Sequence, residues 1–183
     1  MTRERPVALV PWSEDDFELL RRQNAPEMMA HLGGPEPEAK LLDRHRRYVA
    51  LPATGKGRMF SLLSLPERVP AGVIGFWETE RAGEAVYETG WSVLPEFQGR
   101  GIASAAAVAT AEAAAAERKH RYLHAFPSLG NPASNAICRK AGFTLLGAVD
   151  FEYPKGHPIR CHDWRLDLTR ITPGGSHAGA GVG

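Results

Sequence analysis

A strand that must stop, a glycine turn and a long alanine-rich helix follow one another between Val86 and Lys119, and this run constrains the chain more than any other. β-Branched and aromatic residues dominate Val86 to Val93, and Pro95 forbids a further ladder donor, so the pattern predicts a strand that ends there. Gly99 and Gly101 flank Arg100, which lets several consecutive backbone N–H groups converge with no side chain in front of them. From Ile102 to Lys119 the sequence is mostly alanine, the best helix former, so those donors also sit at the positive end of a helix macrodipole. Phosphate is the natural guest of such a cradle.

The flanking sequence supplies a mixed α/β chain. Val7 to Val10 reads as a short strand closed by Pro11, and Ser13 with Glu14, Asp15 and Asp16 reads as a helix start running to about Asn24, with Pro26 ending it. A Gly33-Gly34-Pro35 breaker precedes a second helix over Pro37 to Val49, whose Arg44, Arg46 and Arg47 fit either a solvated face or the border of an anionic site. Strands are expected over 58–65, 73–79 and the opening stretch, with Pro66 to Gly72 as a turn and Arg81-Ala82-Gly83 as a hairpin, giving an antiparallel meander. Tyr122 to Phe126 follows the long helix, and a strand, helix, strand crossover makes that pair parallel. A helix then starts near Asn131-Pro132 and ends at Gly142, before closing strands at 143–151 and 161–168.

At 183 residues the chain is expected to form one domain over 1–171, with a Gly-rich disordered tail over 172–183. The formal net charge of +1 offers no basic surplus for a phosphate backbone, so nucleic acid is disfavoured as a partner. Two cysteines and an N-terminus without an apolar h-region lead us to expect a reduced, cytoplasmic protein. The longest weakly apolar run, Ile102 to Ala116, contains Glu112 and falls short of the roughly 20 apolar residues a span requires, so no membrane partner is expected.

The glycine turn alone admits three readings. It is a device for close helix packing; or a dinucleotide fingerprint, although the third glycine is missing and no acidic residue ends the strand at Phe126; or an acyl-CoA pyrophosphate cradle. In the third sense Gln98-Gly99-Arg100-Gly101-Ile102-Ala103 resembles the Gln/Arg-x-x-Gly-x-Gly/Ala pattern of the GNAT acetyltransferase superfamily. Asn131-Pro132-Ala133-Ser134-Asn135-Ala136-Ile137-Cys138-Arg139-Lys140-Ala141-Gly142-Phe143 is similar to that family's later helix, in the same order and spacing. The resemblance covers about residues 7 to 168, and the first helix with its Gly-Gly-Pro sequel and Gly90-Trp91 looks similar to the branch of ribosomal-protein N-terminal acetyltransferases.

The resemblance implies a GNAT fold with a mostly antiparallel sheet split at two parallel strands, acting as monomer or homodimer on acetyl-CoA and an amine. It implies that the backbone of Trp91, Ser92 and Val93 pairs with the pantetheine arm, with Val93 N–H at the thioester oxygen. Gln98, Gly99, Arg100, Gly101, Ile102, Ala103 and Ser104 would hold the pyrophosphate, and Asn131 and Ser134 would face the cofactor, with a plain helix cap as the alternative for Asn131. It places the acceptor between the segment from Ala25 to Tyr48 and the loop from Glu152 to Arg160.

Amine acetylation needs a base, and Glu88 in the central strand is the first candidate, against a salt-bridged or exposed strand carboxylate. His124 is the second, against a buried structural histidine, and Glu78 and Asp163 are further candidates. Where many family members carry a tyrosine as general acid, this chain has Cys138, whose thiol near pKa 8.5 would match the leaving thiolate in basicity; small core filler is the alternative. Direct transfer is expected rather than an acetyl-cysteine intermediate. Cys161, His162, Asp163 and His157 have ligand types without a ligand spacing, so no metal is expected. A competing class is a CoA-binding regulatory domain without chemistry, for which the missing tyrosine is the one hint.

Overall fold

A computed structural model describes residues 5–30, 32–152 and 155–172. The stretch beyond Thr172, expected to be disordered, lies outside the described residues, as do Tyr153 and Pro154 of the loop assigned to the acceptor side. Seven strands form one sheet: β1 (Val7–Pro11), β2 (Gly57–Ser64), β3 (Val69–Arg81), β4 (Glu84–Val93), β5 (Tyr122–Ala125), β6 (Thr144–Glu152) and β7 (Pro158–Asp167). Their order is β1-β2-β3-β4-β5-β7-β6, antiparallel throughout except between β4 and β5. The helices are α1 (Phe17–Gln23), α2 (Pro26–Met29), α3 (Glu38–Ala50), α4 (Ile102–Ala116) and α5 (Pro132–Lys140). No helix among the described residues is long and apolar enough to cross a membrane.

Alternation along the strands sorts the two faces of the sheet. Ile74, Phe76, Tyr87, Val93, Leu123, Ala125 and Trp164 face α4 and α5, where Ala106, Ala107, Ala111 and Ala114 bring the helix close enough to bury them. Each large apolar side chain buried in this way contributes about 1.5–3 kcal/mol. On the opposite face Met59 and Val73 pack with Trp12, Leu19, Leu20 and Leu41 of the α1 and α3 layer. The expected hairpin between β3 and β4 closes through Ala82 and Gly83, whose φ values of 51° and 80° are the left-handed pair that matches strand twist.

Three local expectations are corrected. Pro26 does not end α1: Asn24 closes that helix, its side chain bracing the backbone of Glu36, and Pro26 opens α2, where its missing N–H costs nothing. Val69 to Gly72 is strand rather than turn, because the register shift between Leu62 and Leu63 lets Pro70 sit in β3 without breaking the ladder. The long helix stops at Ala116, three residues short of Lys119. The last strand of the chain, β7, inserts between β5 and β6, an order that the two closing strands did not reveal in sequence.

Candidate functional site

The parallel pairing of β4 with β5 ends at Thr89 opposite Ala125, and from Gly90 to Val93 β4 keeps its β3 partner only. Leu94 N–H donates to Ala71 O at 2.8 Å, so by antiparallel alternation the N–H groups of Trp91 and Val93 turn away from β3, into the gap that opens beside β5. Val93 O in that gap accepts from Gln98 Nε2 at 2.9 Å. The Gln98 amide is thus spent in fastening the turn to the end of β4, which leaves its backbone to contribute to the cradle. The Trp91 indole Nε1 is buried and has no hydrogen-bond partner, an orphan donor beside the gap.

The turn beyond has the predicted geometry. Gly99 and Gly101 adopt φ of +74° and +76°, and a Cβ at either would meet nothing within 4 Å, so the space ahead of them is open. Gly101 is the N-cap of α4 and no side chain caps the helix, so its first N–H groups are free to meet an anion. Ile102 is 2% exposed and belongs to the core and Ala103 packs against it, so these two offer backbone rather than side chain, and Ser104 lies in the first turn. Arg100 lies over the Phe97 ring at 5.5 Å.

On α5, Asn131 Oδ1 accepts from Ser134 N–H at 3.0 Å, the cap geometry weighed against a cofactor contact. Asn135, which sequence reasoning passed over, fills both ends of its amide. Its Oδ1 faces His162 Nδ1 at 2.7 Å and accepts from Trp164 Nε1 at 2.9 Å, and its Nδ2 donates to the carbonyls of Ser128 and Asn131. Cys138 is 0% exposed in the α4 core, and burial pushes its thiol up to about 12. This placement favours the alternative of small core filler over a thiol matched to the leaving thiolate, since an acid that weak gives up its proton far less readily than a thiol at 8.5.

Glu88 stands on the other face of β4, level with Trp77 on β3 and with His124 on β5. Burial raises its carboxyl from 4.5 to about 7, against the opposing hydrogen bond with Trp77. Neither alternative for Glu88, salt bridge or exposed carboxylate, describes it. His124 Nδ1 lies 2.7 Å from Asp163 Oδ1, and Arg81 Nε donates to Asp163 Oδ2 at 2.9 Å. Burial pushes Asp163 up, but the hydrogen bonds and charges of His124 and Arg81 outweigh it and hold the carboxyl below its usual range. Gln23 Nε2 of α1 reaches Ser92 O at 3.1 Å, which brings the α1 layer over the same end of β4.

Glu78, the remaining carboxylate candidate, is bound to Lys119 and His120, and these hydrogen bonds hold it below its usual range. It is a structural ion pair on the opposite face from Glu88, one residue along β3 from Trp77. His162 and Asp163 point to opposite faces of β7, one to Asn135 and one to His124, and no group of three or more ligating side chains is placed to hold a metal among the described residues.

No curated protein sequence matches the chain. Solved structures match it over nearly its whole length. RimL, a ribosomal L7/L12 alpha-N-protein acetyltransferase in a disulfide-linked complex with coenzyme A, aligns at 20% identity over 90% of this chain and 95% of its own, with a TM-score of 0.74. A GNAT-family acetyltransferase from Bacillus anthracis aligns at 20% identity over 91% and 98%, with a TM-score of 0.72. Spermidine N-acetyltransferase from Vibrio cholerae, in complex with CoA and spermine, aligns at 15% identity over 90% and 96%, also with a TM-score of 0.72. The sequence pattern of the acetyltransferase (GNAT) domain matches residues 7–144, and the chain belongs to the GNAT acetyltransferase family.

Proposed function

We propose that the protein transfers an acetyl group from acetyl-CoA directly to a primary amine, with Glu88 as the proton acceptor. The observation that carries this reading is the partly buried Glu88 carboxyl, raised to about 7, at the base of a sheet gap whose far end is an open, uncapped glycine turn. A base poised near neutrality both exists in its accepting form and holds a proton well enough to draw it from an ammonium.

The residues suit coenzyme A. The pyrophosphate would be met by the backbone N–H groups from Gly99 to Ser104, with no Cβ in the way at Gly99 and Gly101. The gap-facing N–H groups of Trp91 and Val93 would bond the pantetheine arm, and the orphan Trp91 indole N–H needs an acceptor that a pantetheine amide can supply. Val93 N–H would meet the thioester oxygen as it gains charge. Two of the similar structures hold coenzyme A, which supports the same ligand here.

The acceptor would enter from the α1 and α3 face, bordered by residues 25–48 and the loop after Glu152. Both a peptide N-terminus and a small amine supply the nucleophile this chemistry needs. The test is acetyl-CoA-dependent thiol release against a panel of amino-acid amides, short peptides with free α-amines, and polyamines. Turnover with one class supports the reading and names the acceptor. A thermal shift with CoA but no thiol release across the panel would instead favour a CoA-binding regulatory domain.

A further inference from the structure

We propose that His124 is a second proton acceptor beside Glu88, held in the accepting tautomer by Asp163 and Arg81. This rests on the amine-acetylation reading above. A primary ammonium must shed two protons on becoming an amide: one to free the lone pair for attack, and one from the nitrogen after it has bonded to carbon. The departing CoA thiolate recovers only one of them, so a site with two acceptors can complete the transfer without releasing a proton midway.

The geometry supplies the pair. Glu88 and His124 are register partners on adjacent parallel strands, so their side chains leave the same face side by side. An ionised carboxylate only accepts hydrogen bonds, so Asp163 Oδ1, 2.7 Å from Nδ1, fixes the imidazole proton on Nδ1 and leaves the lone pair on Nε2. Among the described residues no protein group is hydrogen-bonded to Nε2. Arg81 Nε occupies the other carboxylate oxygen, and its guanidinium lies 5.4 Å over Phe126, which in turn stacks on the imidazole at 5.9 Å. The ring is therefore held in plane as well as in tautomer. The other titratable or charged groups beside it are Glu88 itself, Tyr122, whose ring meets the imidazole edge-on at 6.5 Å, and Arg165, its register partner on β7, with the buried Cys161 thiol in the field of Glu88.

In balanced form, the ammonium gives its first proton to the Glu88 carboxylate, and the freed lone pair bonds to the thioester carbon as the carbonyl pair moves to oxygen. His124 Nε2 takes the second proton from that nitrogen, the oxyanion collapses, and the C–S bond breaks. The thiolate recovers one of the two protons and the other leaves to solvent. His124, on this account, is catalytic, whereas Asp163 and Arg81 position it.

The decisive variant is Asp163→Asn. Arg81 can only donate, so the amide oxygen must face Arg81 and the amide nitrogen must face Nδ1, which forces the imidazole proton onto Nε2 and removes the accepting lone pair. We expect nitrogen-15 NMR of the full-length wild type to show His124 protonated at Nδ1, and Asp163→Asn to show it at Nε2. We also expect kcat with acetyl-CoA and the fastest amine of the panel to fall at least about 100-fold, with KM for acetyl-CoA within about twofold. A wild-type ring protonated at Nε2, or an Asp163→Asn protein with the shifted tautomer and undiminished kcat, overturns the proposal while leaving amine acetylation standing. Wild type that turns over no amine overturns both. Should Asp163→Asn melt at a markedly lower temperature, His124→Gln read by the same kcat and KM split, together with the wild-type NMR, decides the matter.

Discussion

The two faces of β4 build their halves of the site from different materials. On the helix side the proposed anion cradle is almost entirely backbone: two left-handed glycines, the uncapped start of α4 and the gap-facing N–H groups of Trp91 and Val93. On the opposite face the candidate chemistry is entirely side chain, with Glu88, His124, Asp163 and Arg81 drawn from four strands, His124 and Asp163 buried and Glu88 and Arg81 partly exposed. A backbone site requires particular dihedral angles and space, and it is indifferent to most side chains around it. A side-chain site requires burial and partners, and its chemistry follows from how the partners shift protons.

The largest effect should come from disturbing the backbone half. Gly101→Trp keeps every acid and base but forces a bulky residue into φ near +76°, a strain of about 1–3 kcal/mol, and puts its ring in the open space before the turn. Acetyl-CoA should no longer raise the melting temperature, and thiol release should fall below detection; normal turnover would remove the cradle assignment altogether.

Glu88→Gln is the converse experiment. Acetyl-CoA binding by thermal shift should persist, while kcat drops about 10²- to 10⁴-fold. Because the base must be ionised to accept, wild-type kcat/KM should rise with pH and level off above about 7, and the variant should lose that limb. A wild-type profile flat from pH 5 to 8 would show that Glu88 does not carry the proton.

The same substitution has a stability signature of opposite sign. The folded carboxyl holds its proton to about 7 against an ordinary 4.5, so the native state is favoured below 4.5 and progressively loses that advantage as pH rises to 7. Above pH 7 the partly buried charge costs at most about 3.5 kcal/mol, at about 1.4 kcal/mol per pKa unit. Glu88→Gln should therefore melt higher than wild type at pH 8 and close to it at pH 4, a comparison that calorimetry makes directly. Equal melting temperatures at pH 8 would mean the carboxylate is better solvated than its position in β4 indicates.

The smallest effect is expected at Cys138. With its thiol at about 12 and no exposed surface, Cys138→Ala should leave kcat within about twofold and cost about 1 kcal/mol or somewhat more in stability from lost packing. The native thiol should also resist alkylation until the protein is unfolded. A 100-fold loss of kcat in Cys138→Ala would return the residue to the mechanism.

This contrast also explains what could be read in the sequence. Gly99, Gly101 and the Ala82-Gly83 hairpin announce themselves because a left-handed backbone is a local demand that few residues meet. Glu88 could be singled out as a strand carboxylate, but its neutral-range pKa depends on burial that a single strand does not encode. Arg81 and Asp163 were separated from their partners by 82 and 39 residues, and only the insertion of β7 beside β5 brings them to His124. Cys138 is the complementary case: its position in the helix motif was legible, while its isolation from solvent was set by the alanines of α4.

Asn135 ties these halves together. By holding His162 and Trp164, the residues on either side of Asp163, it clamps α5, on the proposed cofactor side, to β7, on the proposed proton-transfer side. In hydrogen exchange, α5 and β7 should behave as a single cooperative unit, so that a ligand which quiets one slows opening in the other even where it makes no contact.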